Sequence, residues 1–185
     1  LEDIMHFEQY QPPYYSGNYY GYGNYREVST QFTRASAEII GGPLAPNLRG
    51  NVTFTEVPGG TEVSVEVNGL PPYKHETASN PPIGPHGFHL HERGSCFIDN
   101  PKSPFAAAGQ HYNPTNQPHG NHAGDFPVLF SNDGYSKMTF FTNKFTVQDV
   151  IGKTVIIHES PDNYRVEPVG ATGRRLACGI IQGVS

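Results

Sequence analysis

The chain has 185 residues, enough for one domain of ~150 residues with a sizeable buried core plus an extra segment. Seventeen Pro, twenty-one Gly and only 16% charged residues, together with many Val, Phe and Tyr, favour short strands joined by turns over helices. A formal charge of −5 without any Lys/Arg cluster argues against nucleic acid or an anionic membrane surface as the main partner, so a small partner is expected.

The first 32 residues stand apart. Tyr10, Tyr14, Tyr15, Tyr19, Tyr20, Tyr22 and Tyr25 lie among Gly, Pro, Asn and Gln, and the segment QYQPPYYSGNYYGYGNY has neither helical nor strand periodicity. It reads as an irregular arm, either a solvated tail or an aromatic surface for docking to another chain or a surface polymer, or for oxidative tyrosine cross-linking. No charged n-region followed by an apolar h-region opens the chain, and a start at Leu1 suits a mature or trimmed form. No stretch approaches the ~20 consecutive apolar residues of a membrane-spanning helix.

Residues 33–185 read as one domain of strands. RASAEII, LRGNVTFTEV and TEVSVEVNGL come first, with Pro-Gly-Gly between the last two as a hairpin signal. Val63, Val65 and Val67 alternate with polar residues, the pattern of a half-buried antiparallel strand. A proline-rich loop over residues 70–85 leads to HGFHLHERG, which is extended again. Residues 93–126 form a long irregular excursion, and loops of that length in a compact domain are usually functional. PVLFSNDGYSKMTFF follows, with Asn132-Asp133-Gly134 as a turn, then VIGKTVIIH, a second loop over residues 159–173 and the closing RRLACGII. An all-β, eight-stranded antiparallel Greek-key barrel or sandwich with two long functional loops is predicted.

Seven of the nine histidines fall between His86 and His158. His89 and His91 are two apart on a strand, so they leave the same face about 7 Å apart while Phe88 and Leu90 point into a core. His158 ends another strand and offers a third imidazole. HYNPTNQPHGNHAGD adds His111, His119, His122 and Asp125, three imidazoles and a carboxylate that suit tetrahedral zinc. The imidazole-rich first set suits copper, which favours square or tetragonal nitrogen coordination and has an accessible one-electron couple. Cys96 and Cys178 are compatible with one disulfide or with two buried thiols.

These residues carry a resemblance to the copper,zinc superoxide dismutases over roughly residues 35–182. The motifs are HGFHLHERGSC (86–96), AAAGQHYNP (106–114), HAGDFPVL (122–129), VIGKTVIIHESPDNY (150–164) and GRRLACGII (173–181), in the family's order. GSC directly after the strand and the short second loop look like the bacterial, secreted branch. The resemblance implies copper on His89, His91, His111 and His158, and zinc on His111, His119, His122 and Asp125, with His111 bridging the two. It also implies Arg175 as the active-site arginine, Asp162 as a carboxylate hydrogen-bonded to ligand histidines, a Cys96–Cys178 disulfide, and a structural role for His86. The implied reaction is disproportionation of superoxide, with His111 as proton carrier. The implied setting is an oxidising one: extracellular, periplasmic or surface-associated. A homodimer stays open as an assembly.

Two departures stand out: only two residues separate His119 from His122, and the second loop lacks the acidic and lysine pattern some members use for steering. The rival readings are a non-catalytic metal-binding relative, and a coat or wall protein whose working part is the arm. Intact ligands and Arg175 speak against both. The sequon Asn51-Val52-Thr53 matters only in a eukaryotic secretory pathway.

Overall fold

The computed structural model of the chain describes residues 31–165 and 171–184. The expected arm over residues 1–32 lies, up to residue 30, outside the described residues. Among them, no helix is long and apolar enough to cross a membrane.

Among the described residues, eight antiparallel strands form one sheet: β1 (Arg34–Gly41), β2 (Arg49–Val57), β3 (Gly60–Asn68), β4 (Phe88–His91), β5 (Ser136–Thr142), β6 (Thr154–His158), β7 (Arg175–Ile180) and β8 (Gln182–Gly183). Their order is β4-β6-β7-β1-β2-β3-β5, with β8 paired to β1. This is the predicted all-β fold with two long loops. Alternation drives it: in β3, Thr61, Val63, Val65 and Val67 are buried while Glu62, Glu66 and Asn68 face solvent. Val57 pairs with Gly60 across a two-residue turn, in which Pro58 has its φ fixed by the ring and Gly59 takes φ 87°.

The segment expected as one strand hairpin over residues 127–141 is less regular than its sequence suggests. Leu129 makes only an isolated bridge, to His86, and the named strand begins at Ser136. Pro127 has no N–H to donate to a ladder, and the chain reverses tightly between Asn132 and Tyr135, with positive φ at Asp133 and Gly134.

Phe88, Leu90, Val155, Ile157, Leu176 and Ala177 point to one side of the β4-β6-β7 corner and join the main core with Ile39, Val52, Phe54 and Val65. Ile156 and Cys178 point to the other side and pack with Phe105, Ala108 and Cys96 in a smaller cluster. Cys96 and Cys178 form a disulfide across a sequence separation of 82 residues. Closing a loop of that length is worth about 4.5 kcal/mol in the chain-entropy model. The bond ties the first long loop to β7, beside the histidines.

Candidate metal centre

β4 brings the two long loops to one place. One of its edges pairs with β6, Phe88 opposite Ile157 and His91 opposite Thr154. Its other edge takes up the first loop, with bridges from His89 to Asp125 and from His91 to His111. Leu90 N–H donates to the Gly124 carbonyl at 3.0 Å, and Tyr112 N–H donates to the Leu90 carbonyl at 2.8 Å. The loop therefore lays His111 and Asp125 alongside His91 and His89. Gly124 permits the approach, since a Cβ there would lie 2.2 Å from the Leu90 carbonyl oxygen.

A β-bulge shapes the third side. Ile157 faces Ala177, but His158 faces Arg175, so Leu176 is passed over in the ladder. Leu176 and Ala177 both reach the main core, and Arg175 arrives on the His158 face, because residues directly opposite in a pair share a face.

Two donor groups result. His89, His91, His111 and His158 form one, and His111, His119, His122 and Asp125 form the other. Within each, one ligand-type atom per residue lies within 4.8 Å of all the others, close to the ~4.2 Å that opposite nitrogens span around an ion at bond lengths of 2.0–2.1 Å. His111 belongs to both. The outer nitrogens are occupied: His91 Nδ1 lies 3.0 Å from the Gly109 carbonyl, His158 Nδ1 3.0 Å from Thr172 Oγ1, and His89 Nε2 2.7 Å from Asp162 Oδ2. Asp162 Oδ1 accepts from His119 Nε2 at 2.9 Å and from the Tyr164 N–H at 2.7 Å. Those contacts fix each ring and leave the opposite nitrogen facing inward.

The inward atoms test the fit to metals. Among the described residues, His89 Nδ1 and His111 Nε2 are buried without a hydrogen-bond partner, and His122 Nδ1, 3.3 Å from Asp125 Oδ1, makes no hydrogen bond either, an arrangement that is costly unless a ligand satisfies it. His91 Nε2 and His158 Nε2 lie 3.4 Å apart, aimed at one region. Burial pushes the His89 ring down to about 4, and burial also holds His91 and His158 well below the usual imidazole range, aided by nearby histidines and Arg175. Burial lowers His111 as well. These rings are neutral at neutral pH, as metal donation requires. Burial would raise both carboxyls, yet hydrogen bonds from histidines outweigh it: Asp125, bonded by His111, is held far below the carboxylate range, and Asp162, bonded by His89 and His119, is pulled to about 2.

The short spacing from His119 to Asp125 closes into a tight wrap. Asp125 Oδ2 accepts from the N–H groups of Gly120 and His122 at 2.8 and 3.0 Å, while Oδ1 lies 2.8 Å from His111 Nδ1. His86 sits apart from both groups, with Nδ1 3.0 Å from the His158 carbonyl and Nε2 3.2 Å from the Pro71 carbonyl. Arg175 donates to the carbonyls of Phe105 at 2.5 Å and Gly109 at 2.6 Å. It lines an open cleft of about 490 Å³ with Glu92, Arg93, Gln110, Gly173 and Arg174. Sequence reading missed Gly109 and Thr172, whose oxygens orient His91 and His158. Period-two patterning carries no signal for partners that come from loops.

Residues 48–181 match the family model described as copper/zinc superoxide dismutase. The chain is 34% identical over 156 residues to a superoxide dismutase [Cu-Zn] of Deinococcus radiodurans, covering 74% of this chain and 78% of that protein. It is also 34% identical over 146 residues to the Escherichia coli superoxide dismutase [Cu-Zn], covering 72% and 78%. The solved Cu/Zn superoxide dismutase from Brucella abortus superposes with a TM-score of 0.63 at 31% identity, over 80% of this chain and 98% of that one.

Proposed function

This chain belongs to the copper/zinc superoxide dismutase family, and from that premise we propose how its residues divide the disproportionation of two superoxide anions and two protons into dioxygen and hydrogen peroxide. Copper on His89, His91, His111 and His158 supplies a one-electron couple, and zinc on His111, His119, His122 and Asp125 a fixed positive charge without redox chemistry. Arg175 docks the anion: its guanidinium is held by two carbonyls, with no carboxylate among its hydrogen-bond partners in the described residues, so its charge stays available at the cleft. His111 is the proton carrier. Its Nδ1 is committed to the Asp125 side, while Nε2 faces the His89, His91 and His158 side, where it can hold a proton and release it to the peroxide. Asp162 positions His89 and His119 together, linking the two pockets from behind.

One observation carries this reading: a single ring, His111, belongs to both donor groups. His91→Gln is expected to lose copper and reduce superoxide consumption to background while keeping zinc. Asp125→Asn is expected mainly to loosen zinc. Metal analysis alongside superoxide consumption checks both, and unchanged copper content in the His91 variant overturns the assignment.

The Cys96–Cys178 disulfide supports an oxidising compartment outside the cytosol. In such a setting the Tyr-rich arm over residues 1–32 serves as an attachment segment to another chain or a surface polymer.

A further inference from the structure

Past β6 the backbone keeps pairing for two more residues. Glu159 N–H donates to the Arg174 carbonyl at 2.8 Å and Ser160 N–H to the Thr172 carbonyl at 2.9 Å. From the other side, Gly84 N–H donates to the Glu159 carbonyl at 2.8 Å and Gly87 N–H to the Ser160 carbonyl at 2.9 Å, so residues 159 and 160 are held between two segments. Thr172 stands between Ala171 and Gly173, at φ 58° and 70°, and a Cβ on Gly173 would lie 2.8 Å from Ser160 Oγ. That path brings the buried Thr172 hydroxyl to His158, 3.0 Å from Nδ1. Beside it, Arg174 donates through Nε and Nη2 to both carboxylate oxygens of Glu159, at 2.9 and 2.5 Å. The ion pair joins the residue after His158 to the residue two beyond Thr172.

Two supports on the copper side differ in kind. His91 leans on a backbone carbonyl, whereas His158 leans on a side chain. The hydroxyl accepts from Nδ1–H, which fixes the tautomer whose Nε2 carries a lone pair, and that atom lies 3.4 Å from His91 Nε2. We propose that Thr172 is a positioning residue for His158 and that the Glu159–Arg174 pair acts through it. Copper then has a hold of its own, apart from the hold that Asp162 exerts on His89 and His119 together.

This rests on the metal assignment of the dismutase reading above. The test titrates copper into the zinc-loaded full chain against a chelator of known affinity and records the visible band of Cu(II). T172V keeps the shape of the side chain and leaves a buried Nδ1–H without its acceptor. It is expected to weaken copper by about 10–100-fold, to shift the band and to leave zinc content unchanged, with T172S restoring affinity and band. The Arg174 side chain is half exposed, and an ion pair with one partner in solvent contributes little, so R174Q is expected to weaken copper about threefold. In the T172V background R174Q should add nothing, as for two residues acting through one contact. If T172V does not fold, T172A decides by the same readouts. Copper affinity and band unchanged in the valine variant, or copper and zinc weakened equally, overturn the role of Thr172. An undiminished R174Q effect in that background overturns the link through it. A parent that holds both metals yet consumes no superoxide overturns the dismutase reading and leaves this hold standing, whereas a parent that binds no copper overturns both.

Discussion

A carboxylate that touches no inward-facing donor atom can still govern both pockets, and Asp162 is such a residue. Its two oxygens hold His89 and His119, one from each donor group, so losing it frees two rings at once. Partners of this kind are typically worth 10–100-fold in metal affinity. Asp162→Ala is expected to weaken copper and zinc binding together by about that range, measured by competition with a chelator of known affinity; weakening of one metal alone would contradict the shared hold. At this scale the sequence was informative where side-chain chemistry is distinctive. Six imidazoles and one carboxylate at strand and loop spacings are legible. The Gly109 carbonyl that orients His91 is not, because any residue carries a carbonyl and only the loop path aims this one.

Among the elements, β4 has the largest influence on the site, since a strand of four residues supports a sheet on one edge and a loop on the other. Alternation in FHLH and TVIIH was enough to assign faces, because strand period two leaves no other arrangement once Phe88, Leu90, Val155 and Ile157 are buried together. The bulge at Leu176 was not legible. RRLACG by simple alternation puts Leu176, not Arg175, on the face of Cys178, and only the ladder shows the extra residue. The loop edge of β4 is exacting at Gly124, where an added methyl meets backbone that cannot rotate away. Gly124→Ala should push the loop off β4, at a cost of about 1–3 kcal/mol as for other overpacked sites, and displace Asp125 and His111 from the β4 histidines. A lowered melting temperature together with reduced zinc retention is the expected outcome. Reduced stability with full zinc retention would show that the loop holds its place without the Leu90 contacts.

For the whole molecule, the question is where the metal-binding domain begins. All seven donor residues and both cysteines lie beyond residue 88, and the family match starts at residue 48, which suggests a wide margin for truncation. The fold narrows it. Phe32 packs against the main core, and the Thr33 carbonyl accepts the Glu56 N–H at 2.8 Å, so the domain's packing begins at about residue 32. Deleting residues 1–30 is therefore expected to leave metal content, melting temperature and superoxide consumption unchanged while removing attachment to whatever surface the intact protein occupies. Deleting residues 1–33 also removes the partly buried Phe32 ring and should destabilise the domain by roughly 1–2 kcal/mol, seen as a lower melting temperature with the metals still bound. If the shorter deletion already loses metal or stability, the tyrosine-rich segment is part of the folded enzyme and its role as an attachment device fails; if attachment survives that deletion, the anchoring surface belongs to the barrel.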